Sequence, residues 1–299
     1  MPERGRSRHA RRSPLVNALI EFAIEVGLVL GAVLLYFGVR GLTEGNHLVA
    51  ARHGLDVLRF EARLGLDLEA SVQDFVLARD WLTTLANWIY IWAHWPVITV
   101  ALVWLHHAHR RGSLRLRNAM FLSGAIGLVI FALAPVAPPR LLDVGLLDTV
   151  TERSNAYRVL QPPALVNKYA AVPSLHVGWN LLVGVALWQN SRNRVVRTFA
   201  VLSPMAMAFA VVATANHYVI DGVLGAALSL AAYQVVRHLP SGNGRHGRHL
   251  AALAAVGLAQ PDEQVGVVED QAGHAPGQQL VCSELAGDAP GDDLPAAGS

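Results

Sequence analysis

The stretch Tyr169-Ala-Ala-Val-Pro-Ser-Leu-His-Val-Gly-Trp179 lies where a polar loop passes into an apolar run of helix length, from residue 172 to about residue 188. Pro173 is predicted in the first turn of this helix, because its missing N–H would have no intrahelical partner there. Ser174 and His176 are then expected beside unpaired backbone N–H groups and the positive end of the helix dipole. Such a position can bind a phosphate or another anion.

The composition is that of a membrane protein. Of the 299 residues, 53% are hydrophobic and only 15% are charged, whereas a soluble domain carries about 25% charged residues. Several apolar runs approach the roughly 20 residues that a helix needs to cross a bilayer. Cys282 is the only cysteine, so the chain can form neither an intrachain disulfide nor a cysteine metal cluster.

Six apolar segments predict an all-α fold, a polytopic bundle of six transmembrane helices. The first segment, residues 15–39, is too long for the core of a signal peptide and lacks a convincing small-residue cleavage site. The other five form a predicted membrane core over residues 83–236. They cover about 83–105, 118–136, 172–188, 195–215 and 218–236.

Two carboxylates interrupt the first apolar segment. Glu21 and Glu25 are one helical turn apart and would share one face. An acidic side chain inside a membrane is a candidate for function. Hydrogen bonding to a neighbouring helix is the simpler interpretation of both residues.

Residues 40–82 are too charged to cross a membrane. Leu48, Leu55 and Leu58 recur at helical spacing among charged residues, which indicates one or two amphipathic helices at the membrane interface. A collar on the extracytoplasmic membrane surface is the simplest interpretation. A segment that gates the substrate is the alternative.

The basic residues are distributed asymmetrically. Residues 1–14 form an arginine-rich head, and further basic clusters at 107–117, 191–197 and 237–248 would lie on the same side of a six-helix bundle. The positive-inside rule therefore predicts the cytoplasmic membrane as location, with both termini in the cytoplasm. This topology signal explains the head better than nucleic-acid binding does, and no nucleic-acid partner is expected. The composition of residues 237–299 predicts a disordered tail.

Three separate segments bring polar residues to one level of the membrane. The third helix is predicted to end, running outward, just before the turn at Arg140, and the fourth begins at that level with Ser174 and His176. The fifth helix delivers His217, and the sixth returns inward through Asp221. All five side chains are therefore expected at the extracytoplasmic end of the bundle.

This group of residue types predicts phosphoryl chemistry. His217 and Asp221 are spaced i, i+4 and would be neighbours on the first turn of the sixth helix. The carboxylate can accept the Nδ1 proton of His217 and leave Nε2 free to attack. Arg140 offers a planar fork that fits phosphate oxygens. His176 can protonate a departing oxygen as a general acid.

The same residues also have other interpretations. Either histidine could be a hydrogen-bonded structural residue, Ser174 could cap its helix, and Arg140 could anchor a helix end among head groups. Two histidines and Asp221 could form a metal triad, although Arg140 beside them would repel a cation. A serine hydrolase that uses Ser174, His217 and Asp221 is a further alternative. However, neither Gly-x-Ser-x-Gly nor an evident oxyanion loop surrounds the serine.

Four further side chains are candidates for the wall of a head-group pocket. Tyr90 and His94 lie one turn apart in the second span, where Pro96 predicts a kink. Asn180 lies one turn below the histidine of the fourth helix, and Tyr218 stands at the start of the sixth. For Tyr90, His94 and Asn180, a structural hydrogen bond between helices is the alternative.

Two short motifs carry a resemblance to a known family. Pro173-Ser-Leu-His176, followed by His217-Tyr-Val-Ile-Asp221, resembles the type 2 phosphatidic acid phosphatase superfamily. The closer likeness is to its inositol phosphorylceramide synthase-like branch, in which Pro-Ser-Leu-His and His-Tyr-x-x-Asp forms occur. The resemblance covers about residues 40–236, including the Pro-Pro-Arg140 turn.

The resemblance implies a six-helix bundle and a reaction that needs neither a metal nor another cofactor. It implies a phosphohistidine intermediate on His217, with Asp221 as the carboxylate that orients it. It makes His176 the acid, and Arg140 and Ser174 the phosphate ligands.

The chain departs from the broader family at its cationic ligands. Ala210 and Val211 stand where the phosphatases carry Ser-Arg ahead of the nucleophilic histidine. Leu133 replaces the usual lysine ahead of the Arg-Pro pair, and Leu141 follows Arg140. Fewer cations around the phosphate favour a phosphodiester-forming transferase or a narrower substrate over a broad monophosphatase.

The sequence as a whole predicts an integral membrane enzyme that acts on a lipid phosphate or phosphodiester at the extracytoplasmic face. Its expected partners are a membrane lipid and, for a transferase, an alcohol acceptor. Hydrolysis and transfer both remain open at this point. From a different class, a non-catalytic protein that binds or transports lipid phosphates is the alternative.

Overall fold

The computed structural model describes residues 14–42, 46–153 and 168–239, and these residues fold into ten α-helices with one isolated β-bridge. The prediction of an all-helical membrane fold is confirmed. Residues 1–13 of the predicted basic head and the predicted tail beyond residue 239 lie outside the described residues. In chain order the helices are α1 (Pro14–Leu42), α2 (His47–Leu64), α3 (Glu69–Leu77), α4 (Asp80–Trp92), α5 (Trp95–Ala108), α6 (Arg110–Leu133), α7 (Thr149–Arg153), α8 (Leu175–Asn190), α9 (Arg194–Ala213) and α10 (Val219–His238).

Three of the described helices, α6, α9 and α10, are long and apolar enough to cross a membrane. The pair α4 and α5 passes the same test together, bent by 48° at its break. The other two predicted spans are shorter by this measure: the apolar stretch of α1 is Phe22–Leu35, and α8 has 16 residues.

The break between α4 and α5 has a local cause. Pro96 is the second residue of α5. It has no N–H to donate, and its ring would clash with the carbonyl of Trp92, four residues earlier at the end of α4. The predicted kink at Pro96 is confirmed, and it leaves His94 in the bend between the two helices.

The first two turns of α6 contain basic residues that the sequence pattern predicted in a loop. The helix begins at Arg110 rather than near residue 118. Arg110 Nη2 lies 2.7 Å from Glu25 Oε1 of α1, and Arg117 forms a second ion pair with the same carboxylate. The carboxylate neutralises guanidinium charge, so the arginines can lie within the helix. The predicted interhelix bond of Glu25 is confirmed, whereas the side chain of Glu21 lies outside the described part of the chain.

The start of α8 differs from the prediction by two residues. Pro173 precedes the helix, and Ser174 is its N-cap, with an extended backbone. The Ser174 Oγ accepts a hydrogen bond from the Val177 N–H at 3.5 Å. The placement of Pro173 in the first turn was therefore wrong, because the serine side chain already satisfies the open end of the helix at the next residue.

Helices α8 and α10 cross at glycines. A Cβ placed on Gly225 would lie 2.0 Å from the carbonyl oxygen of Ser174, and one placed on Gly178 would lie 2.5 Å from the carbonyl oxygen of Gly225. Small residues let helix backbones approach in this way inside membranes. The crossing brings the first turns of α8 and α10 together at one end of the bundle. We call this the site end, where α6 and α9 finish and α8 and α10 begin.

The segment before α4 forms two helices, α2 and α3, which agrees with the predicted amphipathic pattern. Asn46 Oδ1 caps α2 by accepting from the Leu48 N–H at 2.9 Å, and Gly65 ends it with a positive φ of 66°. The buried face of α2 consists of Ala50, Gly54 and Glu61. Ala50 packs in one cluster with Tyr218, so α2 covers part of the site end.

Candidate active site

A tight turn positions His217 between α9 and α10. Ala215 adopts a positive φ of 52° in this turn, a conformation that is strained for a residue with a Cβ. The N–H groups of Asn216 and His217 both donate to the carbonyl oxygen of Val211, each at 3.1 Å. The chain thus reverses within a few residues and presents His217 at the start of α10.

The contacts of His217 select its tautomer. Its Nδ1 lies 3.1 Å from Asp221 Oδ2 and 3.0 Å from the carbonyl oxygen of Ala171. A carbonyl oxygen can only accept, so Nδ1 carries the proton and Nε2 keeps its lone pair. His217 is only 5% exposed and Asp221 is fully buried, which fixes the ring in this orientation.

The first turns of α8 and α10 are joined directly. The Ser174 N–H donates to the backbone carbonyl oxygen of Asp221 at 2.9 Å. The ring centroid of His176 lies 5.6 Å from that of His217, with 56° between the ring planes. The two histidines that the sequence pattern predicted at one membrane level therefore lie side by side.

Three predicted pocket residues surround His176. The ring centroids of Tyr90 and His94 lie 4.8 Å and 4.3 Å from that of His176. Asn180 Nδ2 donates to the His176 carbonyl oxygen at 3.0 Å and lies 3.0 Å from His94 Nδ1. The bend between α4 and α5 thus packs against the first turns of α8.

Arg140 is attached to the turn that carries His217. It lies in a short 3₁₀ turn, Pro139–Leu141, and its backbone N–H donates to the Ala215 carbonyl oxygen at 3.0 Å. Its Nε donates to Asn216 Oδ1 at 2.8 Å, and its Nη1 forms an ion pair with Asp148 Oδ2 at 2.7 Å. These contacts connect the Arg140 guanidinium to Asn216 in the turn before α10 and to Asp148 in the loop before α7.

Two predicted site residues make mainly structural contacts. Ser174 is fully buried and caps α8. Tyr218 is also fully buried, and its hydroxyl donates to the carbonyl oxygen of Ala137 at 2.5 Å. Tyr218 packs in one cluster with Ala50 and Leu142. Its large ring fills the gap between α2 and α10.

Sequence reasoning missed several groups that hold the site. The Ala171 carbonyl gives no sequence signal, because every residue has one. It is positioned by backbone pairing with Val136, whose N–H donates to the Tyr169 carbonyl oxygen at 2.8 Å and whose carbonyl oxygen accepts from the Ala171 N–H at 3.2 Å. Asp148 reads as an ordinary loop charge eight residues beyond Arg140, and only the fold pairs the two.

A family model described as PAP2 superfamily matches residues 55–235, which is more than half of the chain. The chain belongs to the PAP2 superfamily. Comparison with curated proteins and with solved structures finds no match. The match includes both helix starts and the loop between them. Membership supports a membrane enzyme of the phosphatase or phosphotransferase type that acts on lipid phosphates in general.

One departure of this PAP2-superfamily chain has a clear structural setting. Ala210 and Val211, where the resemblance places Ser-Arg in phosphatases of the family, are both fully buried in α9. They pack in an apolar cluster with Tyr90, Val150 and Met207. An arginine at this place would have to bury its charge among these side chains, so this wall of the site is apolar.

Within residues 14–42, 46–153 and 168–239, no group of three His, Cys, Asp or Glu side chains is arranged to hold a metal ion. Asp221 Oδ2 and the Nδ1 of His217 face each other at 3.1 Å, an arrangement that orients an imidazole.

Proposed function

We propose that the protein is an integral membrane enzyme that cleaves a lipid phosphate or phosphodiester through a phosphohistidine on His217. The observation that carries the proposal is the placement of His217 Nδ1 between Asp221 Oδ2 and the Ala171 carbonyl oxygen. Both partners hold the Nδ1 proton, so the lone pair of Nε2 is the nucleophile. Asp221 also stabilises the positive charge that the ring gains during attack.

The first step forms the Nε2–P bond and breaks the bond from phosphorus to the leaving oxygen. His176, whose ring lies 5.6 Å from that of His217, gives its proton to that oxygen. In the second step a water or an alcohol hydroxyl attacks phosphorus, and His176 takes the proton of the attacking group. The Nε2–P bond breaks, and both histidines return to their starting state.

The start of α8 contributes to the electrostatic environment for the phosphate, because this helix begins at the site end and its N-terminal dipole acts there. The guanidinium of Arg140 adds positive charge, and the Ser174 hydroxyl adds a donor. Stabilisation of this kind is largest where the charge of the transition state develops.

The site end is proposed to face the extracytoplasmic side of the cytoplasmic membrane, with both chain termini in the cytoplasm. The helix directions support this orientation, because α6 and α9 start at Arg110 and Arg194 and finish at the site end, whereas α10 runs from the site end to Arg237. Basic residues thus collect at the opposite end.

The orientation can be tested by cysteine labelling. Asp67→Cys between α2 and α3, in a Cys282→Ser background, should react with an impermeant maleimide in intact cells. Arg192→Cys at the opposite end should react only after permeabilisation. The reverse pattern would overturn the orientation.

A transfer reaction of the inositol phosphorylceramide synthase type is proposed as the second step, with an alcohol as the acceptor. The apolar wall at Ala210 and Val211 supports this, because a monoester dianion needs more cationic ligands than a diester monoanion. Hydrolysis, in which water replaces the alcohol, is the alternative outcome.

The test uses purified protein in detergent with EDTA present, offered a panel of lipid phosphates and phosphoinositides with and without alcohol acceptors. We expect a new phosphodiester when the acceptor is present. Free phosphate alone would make the protein a phosphatase.

His217→Ala should lower either activity by at least about 10³-fold without loss of folded protein. His107→Ala, at the exposed opposite end of the bundle, is the matched control and should retain activity. Full activity in His217→Ala, or activity that appears only with added divalent metal, would overturn the mechanism. Binding of lipid phosphate by the wild type without any turnover would instead identify a non-catalytic binding protein.

A further inference from the structure

The first turn of α10 has an unusual cap. Tyr218, the N-cap residue, provides no side-chain hydrogen bond to the helix. Instead, the Val219 N–H donates to Glu69 Oε1 at 3.0 Å, and the Ile220 N–H donates to Glu61 Oε1 at 2.7 Å. These carboxyl groups come from α3 and α2, which precede α10 by about 150 residues in the chain.

Both carboxyl groups are buried, Glu61 at 0% and Glu69 at 2% exposure. Burying an acidic side chain is costly unless it is hydrogen-bonded or paired. Here each acid accepts a hydrogen bond from one of the first backbone N–H groups of a helix. The N–H groups also gain partners that they would otherwise lack.

The position of the two caps matters for the candidate active site. Val219 and Ile220 are the last two of the three residues between His217 and Asp221. A shift of either N–H group would rotate this turn and change the contact between His217 Nδ1 and Asp221 Oδ2. The caps therefore act on one of the two contacts that hold the Nδ1 proton of His217.

The surroundings of Glu61 keep this acid protonated near neutral pH. Burial raises the pKa of Glu61 to about 8, although the Ile220 N–H opposes the rise, and the negative charges of Glu69 and Asp221 add to it. Tyr218 is the other titratable group that interacts with Glu61 and Glu69. Burial raises the pKa of Tyr218, and the negative charges of nearby acids, including Glu61 and Glu69, raise it further. Two acids on adjacent N–H groups can thus share the site without the full repulsion of two charges.

We propose that Glu61 and Glu69 are positioning residues that hold the first turn of α10, and with it the His217–Asp221 pair, from outside the helices that carry the reaction. This inference rests on the proposed function for its effect on turnover. Helices α2 and α3 then support the active site by positioning the first turn of α10, in addition to any role at the membrane surface.

A second contact of the same segment agrees with this assignment. Gln73 of α3 is almost fully buried. Its Nε2 donates to the Leu147 carbonyl oxygen at 3.0 Å, and its Oε1 accepts from the Leu147 N–H at 2.8 Å. Leu147 precedes Asp148, the ion-pair partner of Arg140. The segment thus braces the loop of the predicted phosphate ligand as well as the turn of the nucleophile.

The test compares Glu61→Ala, Glu69→Ala and Glu61→Gln with the control Asp56→Asn, which alters an exposed carboxylate of α2 that pairs with Arg59. Removing a cap typically changes an equilibrium by about 2- to 30-fold. We expect both alanine variants to lower kcat about tenfold, with KM within about twofold of wild type. Glu61→Gln keeps an acceptor oxygen and should restore most of kcat at neutral pH, and Asp56→Asn should match wild type.

Amide hydrogen exchange of the peptide that covers residues 217–222 provides a readout that needs no turnover. We expect faster exchange in both alanine variants and near wild-type exchange in Glu61→Gln and Asp56→Asn. Wild-type kcat and exchange in the alanine variants would overturn the inference, and so would lost folded protein with unchanged kcat per folded molecule. If the wild type itself turns over no lipid phosphate, the proposed function fails, and the exchange result then decides the assignment of the two acids as caps.

Discussion

The two helix starts that meet at the site end, those of α8 and α10, are built in opposite ways. Helix α8 is capped by its own Ser174, whose Oγ accepts from a residue three positions later. Helix α10 has no such cap and takes Glu61 and Glu69 from α2 and α3 instead. The start of α8 is thus capped locally, whereas the first N–H groups of α10 find their partners on a distant segment of the chain.

This difference matches the proposed roles of the two histidines. His176, the proposed acid on the locally capped α8, would have to reach an oxygen that leaves and an oxygen that attacks. His217, the proposed nucleophile at the start of α10, would need one fixed tautomer and direction. A turn that is held from several sides suits the residue with the stricter geometric requirement.

Among the variants that distinguish the start of α8 from the start of α10, His176→Ala is expected to have the largest effect on turnover. Removal of a general acid costs about 10²- to 10⁴-fold in rate. The loss should shrink for a substrate with a nitrophenolate leaving group, which departs without a proton, whereas His217→Ala should stay inactive on both substrates. Parallel losses on the two substrates would argue against the acid role. Turnover per folded protein, measured with an alkyl and an aryl phosphate ester, checks this.

The crossing that joins the two starts can be broken at Gly225. A Cβ there would lie 2.0 Å from the Ser174 carbonyl oxygen, whereas a Cβ on Gly222 would lie 3.7 Å from a Val177 methyl group, an ordinary contact. We expect Gly225→Ala to lose about 1–3 kcal/mol of stability together with activity. Gly222→Ala should remain close to wild type in both. Thermal unfolding in detergent and turnover measure the pair, and equal behaviour of the two variants would contradict the close crossing.

The local cap is tested by Ser174→Ala against Asn193→Ala, the matched N-cap of α9, whose Oδ1 accepts from the Val195 N–H at 2.8 Å. Each substitution should cost about 1 kcal/mol of stability. If the Ser174 hydroxyl also binds the phosphate, only Ser174→Ala should weaken substrate binding, by about tenfold. Unfolding midpoints and KM separate these contributions. Identical KM values would leave Ser174 as a cap alone.

The cap of α10 includes Glu61, a titratable acid, whereas the cap of α8 is the Ser174 hydroxyl. The stability of the folded protein should therefore depend on pH through Glu61. Burial raises the pKa of Glu61 from 4.5 to about 8. The folded state then binds this proton more tightly than the unfolded state. The stabilisation is therefore fully present below about pH 4.5 and is lost as the pH rises through about 8.

We expect the wild-type Tm in detergent to fall by a few degrees between about pH 6 and pH 9, since about 1 kcal/mol moves Tm by about 2–4 °C for a domain of this size. The curve should be flatter in Glu61→Gln, because an amide does not titrate. Asp56→Asn should follow wild type. Parallel curves for wild type and Glu61→Gln would contradict the assignment.

The sequence predicted most of the fold. Hydropathy and helical spacing predicted the helices, and the break at Pro96 followed from the missing N–H of proline. The order of the motifs predicted that His176, His217 and Asp221 share one level, because helices that alternate in direction must bring their ends together. The predicted helix boundaries were less accurate. Helix α6 starts at Arg110 instead of near residue 118, because Glu25 of another helix neutralises its arginines. Helix α8 starts at Leu175, after the cap at Ser174, and not at Pro173.

The local properties of this chain are thus determined by its sequence: apolar length, the i, i+4 pair of His217 and Asp221, and the cap at Ser174. All of these depend on neighbours within one turn or on the polarity of the surrounding solvent. The tertiary structure alone decided that the Ala171 carbonyl fixes His217, and that Glu61 and Glu69 complete α10. Backbone carbonyls carry no sequence signal, and a buried acid becomes favourable only when a partner from a distant part of the chain is packed against it.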